Sequence, residues 1–363
     1  MQIFLKQNKF RIFGVLCVVF SQLGTLPESV LPTAILWALI TPVWGLCFIP
    51  LSIQEIIYRR KYYLHFFTFY ILFFLILAIK TFQFSISNEE KGDFSIMSYN
   101  VSVFNVYSYL NHDYKEAEEM IEWLKETNND IYCFQEYYHH DSSKKKKKKK
   151  RPNIFNTNES LGTARGYNVY APAFLTDRAN ATFGLATISK FPIIQKQKID
   201  FKSIGGSVTN GILITDIKLN SNDTIKVINC HLQSIILDNG ENQYKNRWDR
   251  WSSTVIKIYK GALLRQQQID ILIDLIEKSA YPVVLCGDFN EPPYSYGYFS
   301  FQHLLKNSFE NKGDGFGFTL RDLPFRIDQI FYSQQLQLNS FKTDTSIKAS
   351  DHYPIVSHLS IEH

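Results

Sequence analysis

Apolar and polar positions divide the chain into two regimes. Three uncharged, mostly apolar stretches follow one another over 12–27, 29–54 and 62–79. A membrane-crossing helix needs about 20 such residues, within about 17–25. The second and third stretches qualify on length, and the first is marginal. Lys6, Lys9 and Arg11 ahead of the first would suit a signal peptide, but no small-x-small cleavage site follows, so it reads as a retained helix. Pro32, Pro42 and Pro50 in the second stretch are better tolerated in a bilayer than in a soluble helix. The pattern predicts a three-helix membrane anchor over 1–86.

After a polar linker at 87–92, the remaining 93–363 show shorter periods. Phe94 to Tyr99, Ile131 to Gln135, Ala186 to Ser189, Gly211 to Leu219, Ile225 to His231, Val283 to Cys286, Ile327 to Tyr332 and Ile355 to Leu359 read as strands. Between Tyr114 and Thr127, Ala117, Met120, Ile121 and Leu124 share one helical face, and Leu263 to Glu277 reads as a second helix. Many strands with few long helices predict a layered α/β domain.

Charge changes the picture twice. The formal net charge is +5, but Lys144 to Arg151 supply eight positives in one run, and +5 less 8 leaves −3 for the rest. A general nucleic-acid electrostatic footprint is therefore not implied. The run itself is an anionic contact candidate, for lipid or nucleic acid, or simply a solvated insertion. Lys6, Lys9 and Arg11, together with Arg59, Arg60 and Lys61, place the N-terminus and the second inter-helix loop in the cytoplasm by the positive-inside rule. After three crossings the C-terminal domain is extracytoplasmic. The five cysteines form no zinc or disulfide pattern and read as small buried hydrophobes.

Candidate chemistry sits where apolar runs stop. Polar groups follow strands at Asn100, at Gln135-Glu136, at His231, at Asp288-Phe289-Asn290 and at Asp351-His352. Strand C-termini converge at one sheet edge, where α/β enzymes build sites. There is no serine nucleophile elbow and no glycine-rich phosphate loop. Carboxylates with amides suit a hard cation, and histidines beside them suit phosphoryl oxygens. The set points to metal-assisted phosphoester hydrolysis.

Gly287-Asp288-Phe289-Asn290, Arg326-Ile327-Asp328-Gln329-Ile330-Phe331, Ser350-Asp351-His352 and Asn229-Cys230-His231-Leu232-Gln233 resemble the endonuclease/exonuclease/phosphatase superfamily of deoxyribonucleases, AP endonucleases and neutral sphingomyelinases. The resemblance covers about 93–363, and the layout is similar to membrane-anchored Bacteroidetes-type members. It implies an α/β four-layer sandwich of two mixed β-sheets with outer helices, preceded here by three transmembrane helices. It also implies metal ligation by Glu136, Asn100 and Asp351, with Mg²⁺ as the cofactor and Mn²⁺ as a substitute. Asp288 would activate water, Asn290 would hold it, Asp328 would orient His352 on the phosphate, and His231 would approach from the other side. Many AP endonucleases carry an acid two positions after the first-strand Asn, and Ser102 stands there instead. The implied substrates are phosphoesters, either nucleic acid or a phospholipid headgroup. A sphingomyelinase-type lipid phosphodiesterase and a non-catalytic membrane-bound binding module are the alternatives. No sequence feature implies a protein partner.

Overall fold

A computed structural model describes residues 2–58, 62–84, 90–111, 113–141, 153–234 and 247–362. The chain begins with three helices, α1 (Gln2–Leu23), α2 (Ala34–Tyr58) and α3 (Tyr63–Thr81). Then come β1 (Phe94–Asn100), α4 (Lys115–Glu126), β2 (Ile131–His139), β3 (Asn168–Tyr170), β4 (Leu175–Thr176), β5 (Thr182–Ser189), β6 (Ile193–Asp200), β7 (Gly211–Lys218) and β8 (Thr224–His231). The remainder is α5 (Arg247–Glu277), β9 (Val283–Asp288), α6 (Tyr296–Gln302), β10 (Lys306–Asn307), α7 (Ser308–Lys312), β11 (Asp328–Tyr332), β12 (Leu336–Thr343) and β13 (Ile355–Ile361).

The strands form two sheets. One runs β12-β13-β1-β2-β5-β3 with β4 also on β5, and the other runs β10-β11-β9-β8-β7-β6. Both are mixed, because β1/β2 and β8/β9 are parallel while their neighbours are antiparallel. Phe94, Ile96, Ile131 and Cys133 of the first sheet pack on Ile217, Val227, Val284 and Cys286 of the second. The first sheet's outer face is covered by Ala117, Met120, Ile121 and Leu124 of α4, the face that the periodicity predicts. The second is covered by Ile269, Leu272 and Ile276 of α5 and by Tyr298 and Phe301 of α6. This is the expected four-layer α/β sandwich. The five cysteines are free, and Cys17, Cys133, Cys230 and Cys286 are buried.

Among the described residues two helices, α2 and α3, are long and apolar enough to cross a membrane. The expectation of three is corrected: α1 is a helix, but Lys6, Lys9 and Arg11 fall inside it and leave too short an apolar remainder. Arg11 is instead held within the bundle by a two-pronged pair with Glu55 of α2, Nε–Oε1 2.8 Å and Nη2–Oε2 2.5 Å. The Lys144–Lys150 run, Arg151 and the Arg59–Lys61 loop lie outside the described residues.

The helices dock on the sandwich. Ile35, Ala38 and Leu77 share a cluster with Ala262 of α5 and with Tyr294. Lys80 Nζ reaches Gln302 at 2.6 Å and Glu310 at 3.2 Å, and Arg326 donates to the Lys80 carbonyl at 2.8 Å. Gln83 and Gly315 pair through their backbones.

Candidate active site

The polar residues that end the strands meet at one edge of the sandwich. In the second sheet the ladder fixes three of them side by side, with Asp288 opposite His231 on β8 and opposite Asp328 on β11. Gly287 makes this register possible. Its φ is +147°, and a Cβ there would lie 1.9 Å from the Cys230 carbonyl oxygen. Asn100 arrives from β1 of the facing sheet. Glu136 arrives from β2, where the pairing to β5 is irregular between Phe134 and Tyr137 and Glu136 takes a φ of 50°. The irregularity frees Glu136 from the ladder and turns it to the edge.

Beneath the edge, buried amides join the sheets. Gln135 Nε2 donates to Asn229 Oδ1 at 2.8 Å, and Asn229 Nδ2 donates to the Phe134 and Ala186 carbonyls at 3.1 and 3.0 Å. These bonds hold the two sheets in one relative position, while Gln135 Oε1 stays buried without a partner.

The Asp288 carboxylate is the hub. Oδ1 accepts the Asn290 backbone N–H at 2.9 Å, and Oδ2 accepts Asn100 Nδ2 at 3.0 Å. His231 Nε2 lies 3.5 Å from Oδ2 and His352 Nε2 3.8 Å from it. On its other side, the His352 ring donates from Nδ1 to Asp328 Oδ2 at 2.8 Å. Facing ligand atoms of Asp288, Asp328 and His352 all lie within 4.8 Å of one another, and all three residues are buried. Glu136 Oε1 stands 4.0 Å from His231 Nε2 and 3.4 Å from Asn100 Nδ2, with its side chain 36% exposed.

This arrangement occupies a chain whose residues 97–352 match the profile of the Endonuclease/Exonuclease/phosphatase family. The chain belongs to that family. The two Bacteroides structures that follow share the fold. The endonuclease/exonuclease/phosphatase of Bacteroides vulgatus is 16% identical, covers 74% of this chain and 99% of its own, and has a TM-score of 0.51. The family protein of Bacteroides thetaiotaomicron is 15% identical, with coverages of 73% and 94% and a TM-score of 0.50. The human Nocturnin catalytic domain with bound sulfate is 17% identical, with coverages of 77% and 96% and a TM-score of 0.48. A search of curated protein sequences returned no match. Family members are typically hydrolases of phosphoester bonds and generally depend on a divalent metal.

The donor chemistry fits such an ion. Asp328 and His352 are committed to each other, whereas Glu136 keeps an exposed carboxylate at the rim, beside the Asn100 amide. Oxygen donors of this kind suit a hard cation. Asp351 is exposed and adjoins the cluster through Ser350, whose Oγ lies 3.3 Å from its Oδ1. Asn290, at a φ of 52°, spends its side-chain N–H on the Leu232 carbonyl at 3.0 Å, which clamps the turn after β9 to the end of β8. Ser102 contributes no carboxylate, but its backbone N–H holds Asn100 Oδ1 at 3.0 Å.

Electrostatics polarise the histidine. Burial is the largest single influence on His352 and would lower its pKa, but the charges of Asp328 and Asp288, the Asp328 hydrogen bond and the Asp351 charge together outweigh it. The outcome is a pKa raised to about 10, so the ring is an imidazolium at neutral pH. Burial also pushes Asp328 up, against the pull of that imidazolium.

Two supports were given no role by the sequence, although Ser350 stands in the Ser350-Asp351-His352 motif. Thr319 Oγ1 accepts the Ile327 and Asp328 backbone N–H groups at 3.0 and 3.1 Å, although its neighbours form no strand pattern. Ser350 Oγ donates to the Asn100 carbonyl at 2.8 Å and accepts the His352 N–H at 3.1 Å, tying the end of β1 to the segment before β13 within the first sheet.

Proposed function

We propose that the protein is a membrane-tethered, divalent-metal-dependent phosphodiester hydrolase with its catalytic domain on the extracytoplasmic side of a bacterial inner membrane. The convergence of Asp288, Asp328 and His352 within 4.8 Å, with Glu136 and His231 at the rim, is the observation that carries this reading. Glu136 would be the principal ligand of the ion, with Asn100 and Asp351 completing its protein contacts; Mg²⁺ suits these oxygen donors, and Mn²⁺ would substitute. When bound, the ion neutralises charge that develops on the phosphoryl oxygens.

The rest is the work of side chains. Asp288, fixed by the Asn290 N–H and the Asn100 amide, is the acceptor for the proton of the attacking water. His352, kept protonated by Asp328, donates from Nε2 to a phosphoryl oxygen. His231 reaches the same space from β8 and supports the leaving oxygen. The two apolar helices at the N-terminal end of the chain support the tether, and Arg59, Arg60 and Lys61 between them support the orientation: with that loop cytoplasmic, the crossing of α3 carries the following domain outside.

The test is hydrolysis of bis-p-nitrophenyl phosphate by the purified full chain. Activity should vanish in EDTA and return with Mg²⁺, and a cytoplasm-only reporter fused after His363 should stay silent in cells. Undiminished hydrolysis in EDTA would refute the metal mechanism, and an active reporter would refute the topology.

A further inference from the structure

The edge of the sandwich that carries the site is also the edge that meets the helices. The turn after β9 (Pro292, Pro293, Tyr294) and the segment before β11 (Phe316, Phe318, Phe325, Arg326) line a cleft with Leu39 and Pro42 of α2 and with Lys80 and Thr81 at the end of α3. A site placed at this edge therefore opens beside the level at which α3 ends.

An aromatic ledge continues outward from that level. Ile79 on the last turn of α3 is 59% exposed, Phe84 89%, Phe316 49% and Leu323 54%. Phe82 packs edge-on against both Phe84 and Phe316, with centroids 4.7 and 4.9 Å apart, and Phe316 stacks on Phe318 at 5.2 Å. The Gln83–Gly315 backbone pair locks the ledge to the helix end. Burying such side chains from water is favourable, and exposed Phe and Leu on the apolar face of a surface-bound element sink into the headgroup boundary of a bilayer.

The ledge runs directly into the site. Two residues beyond Phe318, Leu320 pairs with His352 across a backbone bridge. The Thr319 carbonyl accepts the Tyr353 N–H at 2.7 Å, and the Arg321 N–H donates to the Asp351 carbonyl at 2.8 Å. Phe316, Phe318, Leu323, Arg321 and Tyr353, with the carboxylates of Asp314 and Asp322, line a cleft of about 500 Å³ beside the Leu320–His352 bridge. The Arg321 side chain, 37% exposed, stands there, with Asp322 3.5 Å from its Nε and the Lys348 and Ser350 carbonyls accepting from its Nη1.

From this geometry we infer that the ledge rests on the outer surface of the bilayer and that the substrate is a lipid bearing a phosphodiester headgroup, fed from the membrane along the Phe316–Leu323 cleft. This rests on the tethered-hydrolase reading above and assigns its substrate class. The reaction consumes one water, whose oxygen bonds to phosphorus as one P–O ester bond breaks, giving a phosphomonoester and an alcohol. The apolar chains stay in the bilayer or against the ledge, while Arg321 meets the anionic headgroup at the lip.

The test uses the full chain reconstituted in vesicles of phosphatidylethanolamine and phosphatidylglycerol, with two esters that share one scissile bond. Hexadecyl p-nitrophenyl phosphate resides in the bilayer, and methyl p-nitrophenyl phosphate stays in solution. Wild type should prefer the hexadecyl ester by at least about 10²-fold in kcat/KM, the scale that confinement to a common surface supplies. The triple variant Phe316→Ser, Phe318→Ser, Leu323→Ser should lose at least about tenfold on the hexadecyl ester and keep its rate on the methyl ester. Equal use of both esters, an undiminished preference in the variant, or faster cleavage of a DNA oligonucleotide would overturn the assignment. If neither ester is cleaved, the hydrolase reading itself falls.

Docking has a readout independent of activity. A nitroxide at Leu323→Cys, in a Cys47→Ala background, should collide more often with oxygen than with a water-soluble nickel complex. Collision behaviour matching a label at the exposed Asn220→Cys would overturn the membrane contact.

Discussion

Replacing Asp328 by Asn removes one charge and keeps the shape of the side chain that holds His352. The His352 pKa stands at about 10 against an ordinary 6.5. That difference corresponds to about 5 kcal/mol of preference for the imidazolium, at about 1.36 kcal/mol per unit. Asp328 is the largest contributor to it, at 2.8 Å, while Asp288 at 3.8 Å and the exposed Asp351 remain in the variant. With burial still opposing the charge, the variant's His352 should titrate at least about 2 units lower. Imidazole nitrogen shifts of histidine-labelled protein in EDTA, followed from about pH 5 to about pH 11, would read this directly. Stability supplies a second measure with a definite sign. A pKa raised by folding contributes stability that is complete below about 6.5 and is lost as pH rises through about 10. Wild type should therefore lose stability across that window, and Asp328→Asn should be flatter. Turnover of the variant should fall by about 10² to 10⁴, because the phosphate then meets an imidazole that is mostly neutral. A variant in which His352 still titrates near 10 would refute the reasoning.

Gly287→Ala places a methyl group 1.9 Å from the Cys230 carbonyl oxygen, between the strands that carry His231 and Asp288. The expected cost is about 3 kcal/mol, a melting point lower by about 6–12 °C, and unchanged melting would contradict the register. Glu28, buried in the loop between α1 and α2, is pushed by burial, then by the Glu291 charge, to a pKa of about 7, with Arg265 opposing. A raised carboxyl contributes stability present below about 4.5 and lost as pH rises through about 7, so Glu28→Gln should exceed wild type by up to about 3 kcal/mol at pH 8 and match it near pH 4. Chemical unfolding of the full chain at the two pH values checks this, and a variant less stable at pH 8 would count against the buried-acid account.

The candidate site's edge was legible because its strands are apolar runs that meet a polar side chain at that edge. Asn100, His231 and Asp288 end β1, β8 and β9, and Asp328 opens β11. What local pattern could not show is long-range pairing. Arg265 lies fully buried in α5, bonded to Glu291 at 2.7 Å and to the Gln233 carbonyl at 2.9 Å, and its charge acts on Glu28 far away in sequence. Nothing around any one of these residues marks it as a neighbour of the others. β6 was passed over because it is a sheet-edge strand, largely exposed and rich in Gln and Lys, so it lacks both an apolar run and a clean alternation. β12 interrupts its alternation with the irregularity between Leu338 and Ser340. The first helix was read as a span from its apolar half alone, whereas its charged half belongs to the same helix and pairs with Glu55.

The central claim is that Glu136 and Asp288 form one hydrolytic site from two facing sheets. The most direct measurement is kcat for bis-p-nitrophenyl phosphate at saturating Mg²⁺ with Glu136→Gln and Asp288→Asn, beside the melting point of each variant. The account predicts a loss of at least about 10² in kcat for each, with a folded protein in both cases. Turnover close to wild type in either folded variant would contradict it.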